Sequence, residues 1–315
     1  MSRLAIQLAM AGVAVRAAMF GRPLPPRPLH TNASSEACKR TRVAVCLTGH
    51  PRTFVREHVV ASILHALLAG LRRSHAHVDV FAVLGTGDAS QKRMPGWNFS
   101  RSVADDVAVA QALARLAPRV IERIGDPLIN PRCTVPPKFG DAARMIAQPT
   151  SWARCLDHVE NAESVDGSEY DWIVRARPDA YWCGQHVSLC GTDQIGERTL
   201  LLHSQYPNVG GMGDMHFALP RAAAPVVFRD MLQTYSSCDG ALPFADMEHF
   251  LQVHVAAASD KLGLEVGRMR FPFVLARASE DQPSALRMFV GLDPAMRTSC
   301  MRAYPHIEKR DNATR

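Results

Sequence analysis

The chain has 315 residues, 47% hydrophobic and 21% charged, which allows one large or two small domains and excludes a disordered chain. Its formal charge of +6 lies largely in the two tails, and no Lys/Arg run is interleaved with aromatics, so nucleic acid is not an expected partner. A mildly basic body still suits a small anionic substrate.

Residues 1–36 read as a targeting segment. Arg3 precedes a largely apolar run, Leu4 to Val15, and Arg16, Arg22 and Arg27 follow among several prolines. That run is shorter than the ~20 residues a spanning helix needs. It fits the apolar core of a signal peptide or a short anchor, through which the chain would associate with a membrane. The acid-poor, Arg-bearing composition fits an organelle transit peptide as the alternative. Sequons at Asn32, Asn98 and Asn312 and eight cysteines incline the expectation to the secretory pathway, in the Golgi or ER lumen. Cys183 and Cys190 are spaced to close a small loop, whereas Cys46, inside an apolar strand, reads as a buried free thiol. No Cys-x-x-Cys pair is present, so a zinc ribbon is not expected.

The folded body is expected over residues 37–280, with a C-terminal extension over 281–315. Val43–Thr48 is a continuous apolar run, as in a buried parallel strand. Gly49-His-Pro-Arg-Thr53 turns it into a helix over 54–73, with Val55, Val59, Ile63, Leu67 and Leu71 on one face. A strand over 78–84, a helix over 103–117 (Val103, Val107, Ala110 and Leu113 inward) and a strand over 119–124 follow. Asp141 can cap the next helix, which Pro149 should break. Further strands are expected over 200–203 and 216–219, helices over 221–235 and 246–258, and one late strand over 264–276. Strands and helices alternating in this way imply an α/β, doubly wound, mostly parallel sheet with helices on both faces.

The most informative stretch runs from Tyr170 to Trp182. Trp172, Val174 and Ala176 alternate with Ile173, Arg175 and Arg177, the period of a strand. Pro178 cannot donate to a ladder, so the strand should stop there, with Asp179 at its tip. In a parallel sheet that edge is where ligands sit. Arginines there suit phosphate or carboxylate, and the aspartate suits a metal or a hydroxyl. Arg177, nearer the strand end, is expected to meet the ligand, and Arg175 to make a buried pair. Arg52, in the turn after the first strand, is a further anion contact. Asp214 follows a Gly-rich turn over 208–213 and suits a general base or metal ligand. His216 reads as a satisfied strand histidine, and Glu248 as a catalytic carboxylate or a helix-start residue.

Three blocks resemble a known family. Val43 to Phe54, with its Thr-Gly-x-x-Arg-Thr turn, resembles the first strand and turn of a group of glycosyltransferase-like proteins of algae and other eukaryotes. Trp152 with Tyr170-Asp-Trp-Ile-Val-Arg-Ala-Arg-Pro-Asp179 resembles their helix and central strand. Gly213-Asp-Met-His-Phe-Ala-Leu219 and Glu248 with Phe250-Leu251 resemble two later segments. The resemblance spans about residues 42–277 and implies a Rossmann-like GT-A fold. It implies transfer of a sugar from a nucleotide sugar to a glycan or other hydroxyl acceptor. It places Arg52, Arg175, Arg177 and Asp179 at the donor diphosphate, and Asp214 and Glu248 in catalysis. Asp179 falls where that architecture carries an Asp-x-Asp motif for Mn²⁺ or Mg²⁺, but Arg177 stands in the first aspartate's place. Either Asp179 shares a divalent cation with Asp214 or a histidine, or arginine replaces the metal. Two other readings accompany this one: a sulfotransferase using the 49–53 turn as a phosphate loop, and a non-catalytic binding relic of the fold.

Overall fold

The computed structural model describes residues 40–86, 105–125, 132–134, 142–186, 188–189, 199–203, 213–238, 240–241, 247–263, 265–269, 271–275 and 298. The targeting segment, the three sequons, Asp141, Cys190 and most of the Gly-rich turn lie outside them. No helix among the described residues is long and apolar enough to cross a membrane.

β1 (Arg42–Gly49) is buried on both faces, as its unbroken apolar run requires. It pairs in parallel with β2 (His77–Gly85) on one side and β5 (Trp172–Ala176) on the other. β3 (Val120–Ile124) extends the sheet beyond β2. Beyond β5 come β8 (Phe217–Pro220), β7 (Thr199–His203) and β10 (Glu265–Met269), giving the order β10-β7-β8-β5-β1-β2-β3. β8 is antiparallel to both of its neighbours, and the remaining pairs are parallel. The chain therefore folds as an α/β Rossmann-like sheet, with a strand-order switch between β1 and β5.

Each face carries its own core. One holds Val43, Val45, Leu47, Val174 and Ala176 against α1 (residues 57–74) and α2 (Asp106–Leu116). The other holds Ala44, Cys46, Ile173, Phe217 and Leu219 against α3 (Ala142–Asp166), α4 (residues 221–236) and α5 (Met247–Leu262). Alternate residues of each strand feed opposite cores, as the pleat dictates.

Several expectations need correction. Cys46 is not a free thiol. It forms a disulfide with Cys155 of α3, because its side chain points to that helix across a Cα–Cα distance of 5.9 Å. Cys183 and Cys238 are disulfide-bonded too. Pro149 does not break α3, which runs through it. The hydroxyls of Thr150 and Ser151 donate to the Ile146 and Gln148 carbonyls at 2.8 Å each, supporting the turn around the proline. α1 begins at Glu57 rather than Phe54, because turns closed by Phe54 N–H to Pro51 O and Arg56 N–H to Thr53 O come first. In α2 the buried residues are Val109, Ala112, Leu113 and Leu116, while Val107 is 63% exposed. The late strand is two strands. Pro272 separates β10 from β11 (Phe273–Leu275), which leaves the main sheet to pair with β6 (Ala180–Trp182).

The middle of α1 is a π segment, Ile63–Leu68. Its wider winding accompanies an outside contact, since Ala66 O accepts from His186 N–H at 3.1 Å. A Cβ on Gly70 would come 2.7 Å from His186 N, so only glycine lets the chain after β6 lie this close. His75 holds the same stretch. Its Nε2 accepts from Leu189 N–H at 3.1 Å, which leaves the ring proton on Nδ1, 2.7 Å from Thr41 Oγ1.

Two stability predictions follow. The disulfide closes a separation of 109 residues. Cys155→Ser should cost about 3–5 kcal/mol in urea denaturation, and reductant should destabilise the parent by at least that much, since it also opens the bonds of Cys183 and Cys238. Burial lowers the pKa of His75, and that of His254, from 6.5 to about 4. The fold holds these rings neutral while the unfolded chain protonates them. Stability is therefore full above pH 6.5 and lost progressively as the pH falls to 4, by up to about 3 kcal/mol per ring. Urea midpoints measured from pH 7.5 to 4 should show this slope, and His75→Gln should flatten part of it.

Candidate functional site

Parallel pairing of β1 and β5 brings their carboxyl ends together at the strand-order switch, the position where open α/β sheets form a ligand crevice. β8 runs the other way, so the residues just before it, Asp214 to His216, reach the same edge. Gly49 ends β1 at φ +132°, a conformation that favours glycine, and lies within ordinary contact range of Pro178, so the turn after β1 sits against the turn after β5.

That contact brings Arg52 to Asp179. Arg52 Nη1 lies 3.7 Å from Asp179 Oδ2. Arg177 grips the same carboxylate with both arms, Nε to Oδ1 at 2.7 Å and Nη2 to Oδ2 at 2.8 Å. Asp179 is only 1% exposed, so its charge depends on these guanidiniums. Arg52 and Arg177 retain 26% and 16% exposure and form the accessible side of the cluster.

The structure separates the two arginines of the strand. Arg175 is 1% exposed and lies on the α3 face of the sheet. Its Nη1 donates to the backbone carbonyl of Asp214, its Nε to Thr48 Oγ1 at 3.3 Å, and its Cζ sits 5.3 Å from the Trp152 ring centre. Burial lowers its pKa to about 9, opposed by the carboxylates of Asp214 and Asp179. It remains a cation at neutral pH.

Asp214 is 7% exposed. Among the described residues, three guanidiniums (Arg52, Arg175, Arg177) and two carboxylates (Asp179, Asp214) gather at this edge. A cluster of guanidiniums at the carboxyl edge suits an anion.

His216 lies on the other face. Its Nε2 is 3.1 Å from His186 Nε2, within a ring cluster of Trp182, Phe271 and Phe273. The expectation of a satisfied histidine holds for Nε2 alone, since Nδ1 is buried with no hydrogen bond among the described residues, and one of the two rings must donate to the other. Glu248 lies in the first turn of α5, which packs on α4. A carboxylate there complements the helix dipole. Just after the 49–53 turn, the amides of Phe54 and Arg56 bond the Pro51 and Thr53 carbonyls, and Glu57 brings a carboxylate to the helix start.

Two contributors had no sequence signal. Thr48 reads as one more residue of an apolar strand, and His186 becomes significant only through a partner 30 residues away.

No protein-family model matches the chain, and no curated protein matches it by sequence. Among solved structures it is similar to a glycosyltransferase involved in the glycosylation of the major capsid of PBCV-1, at 7% identity and a TM-score of 0.36, over 73% of this chain and 82% of that one. It is also similar to the inositol-1-phosphate CTP transferase of T. maritima, at 9% identity and a TM-score of 0.37, over 84% and 96%. Likeness at this level bears on neither the site nor the reaction.

The geometry makes a prediction independent of any ligand. Arg177→Ala should destabilise the fold by about 3–5 kcal/mol in urea, because the Asp179 carboxylate stays buried with its bidentate partner gone. The double variant Arg177→Ala/Asp179→Ala should be less unstable than the two single losses added together, by about 1–3 kcal/mol.

Proposed function

We propose that this protein transfers a sugar from a nucleotide-diphosphate donor to a hydroxyl acceptor. The observation that carries the reading is the gathering of guanidiniums at the β1–β5 switch, with Arg52 and Arg177 on its accessible side. The resemblance of the Tyr170–Asp179 block to glycosyltransferase-like proteins of GT-A type supports the same assignment.

In this reading Arg52 and Arg177 bind the donor diphosphate. As the bond between the anomeric carbon and the phosphate oxygen breaks, its electron pair leaves with the nucleoside diphosphate. Fixed guanidinium charges stabilise that developing charge without reorganising. The acceptor oxygen forms the new bond to the anomeric carbon, and Asp214 takes its proton. Glu248 serves its helix and takes no step in the reaction.

The residues present do not suit a divalent cation. Both oxygens of Asp179 are engaged by Arg177, and no three His, Cys, Asp or Glu side chains converge on a metal position among the described residues. The reading therefore assigns diphosphate neutralisation to arginine.

The disulfides favour an oxidising compartment, so the secretory pathway, entered through the N-terminal apolar segment, is the proposed location.

Calorimetry on the oxidised full chain tests the reading. The titrants are UDP, GDP, CMP and adenosine 3′,5′-bisphosphate, each with Mn²⁺ and with EDTA. Saturable binding of UDP or GDP is expected in both conditions, weakened at least tenfold in Arg52→Ala, equivalent to about 1.4 kcal/mol. Binding that vanishes in EDTA would overturn the metal-free site. Binding of the bisphosphate alone would point to sulfuryl transfer, and no binding at all to a non-catalytic fold.

A further inference from the structure

Arg175 combines features that a core packing residue does not need. It is a fully buried cation, and removing a guanidinium from water costs several kcal/mol before any partner returns part of that. A hydrophobic residue of similar volume commonly serves stability as well or better at such a position. Its contacts show what the arginine supplies instead. Three chain segments meet on one guanidinium: the end of β1 through Thr48 Oγ1, the α3 face through the Trp152 ring, and the segment before β8 through the Asp214 carbonyl.

The third contact matters most. β8 begins at Phe217, opposite Arg175 in the ladder, so Asp214 lies three residues outside the strand. Ladder bonds do not fix it. The Arg175 Nη1 bond to its carbonyl does. Only a branched, planar donor group reaches Thr48 and Asp214 together from one strand position.

We infer that Arg175 is the positioning residue of this site, holding the Asp214 segment against β1 so that the Asp214 carboxylate is fixed relative to Arg52 and Arg177. It acts through Asp214 and not on the ligand. This inference rests on the transferase reading for its catalytic consequence, but the tether itself does not.

The test separates the two. Arg175→Lys keeps charge and removes the fork, and Arg175→Met keeps much of the volume and removes both. Hydrogen exchange on the full chain is followed in peptides covering residues 213–217, with β2 peptides as the reference. Exchange in the 213–217 segment should rise at least tenfold in both variants, with the β2 peptides unchanged. Unchanged exchange there in Arg175→Lys, or an equal rise everywhere, would overturn the tether. The second arm measures UDP affinity and hydrolysis of UDP-glucose and GDP-mannose. Affinity should stay within about threefold while turnover falls at least tenfold. Arg175→Lys/Asp214→Asn should be no slower than Asp214→Asn alone, since both changes act through one carboxylate. Faster exchange with full turnover would overturn the catalytic role. A parent that hydrolyses neither sugar nucleotide, nor binds UDP or GDP, would fail the transferase reading while leaving the exchange result to decide the tether.

Discussion

A carboxylate at 1% exposure can stay ionised only if other charges replace the water it has lost. At Asp179 that replacement is the two-armed grip of Arg177, with Arg52 close by. The rest of the edge is arranged around this requirement. Pro178 ends β5 where the aspartate must turn, and Gly49 ends β1 in a conformation that favours glycine, with the turn that carries Arg52 against Pro178. The pair also orients the guanidinium. An arginine held by a buried carboxylate offers a fixed charge and not a flexible one, and preorganised charge is what stabilises a departing diphosphate.

The supports behind this edge are of three physical kinds. The Cys46–Cys155 bond fastens the centre of β1 to α3, at the residue directly opposite Arg175 on the neighbouring strand. Trp152, on the same helix, gives the buried guanidinium an aromatic face. On the opposite face, the π segment of α1 and Gly70 receive the chain that follows β6, and His75 holds it further along. The last of these fixes a stretch that has left the main sheet, where no ladder holds it.

Much of the fold is legible in the chain. The unbroken apolar run of β1 and the alternation around Arg175 identify buried strands through side-chain period alone. Pro178 marks the end of β5, because a residue without an amide cannot continue a ladder. Pro272 divides β10 from β11 by the same rule, although the alternation over 264–276 reads as one strand. Pro149 shows the limit of the same rule. α3 continues through it, which a local rule about proline does not foresee.

Sequence alone determined the residue types that gather at the carboxyl edge, since Arg52, Arg177, Asp179 and Asp214 each stand beside a recognisable strand end. Tertiary structure decided what each one does. Arg175 and Arg177 are two residues apart, yet one is sealed against Trp152 and the other grips Asp179 at the crevice. Cys46 found its partner 109 residues on, Arg175 bonds a carbonyl 39 residues away, and His186 meets His216 across 30. Such pairings follow from the order of strands in the sheet. That order is set by how whole faces are buried, and local periodicity carries no record of it.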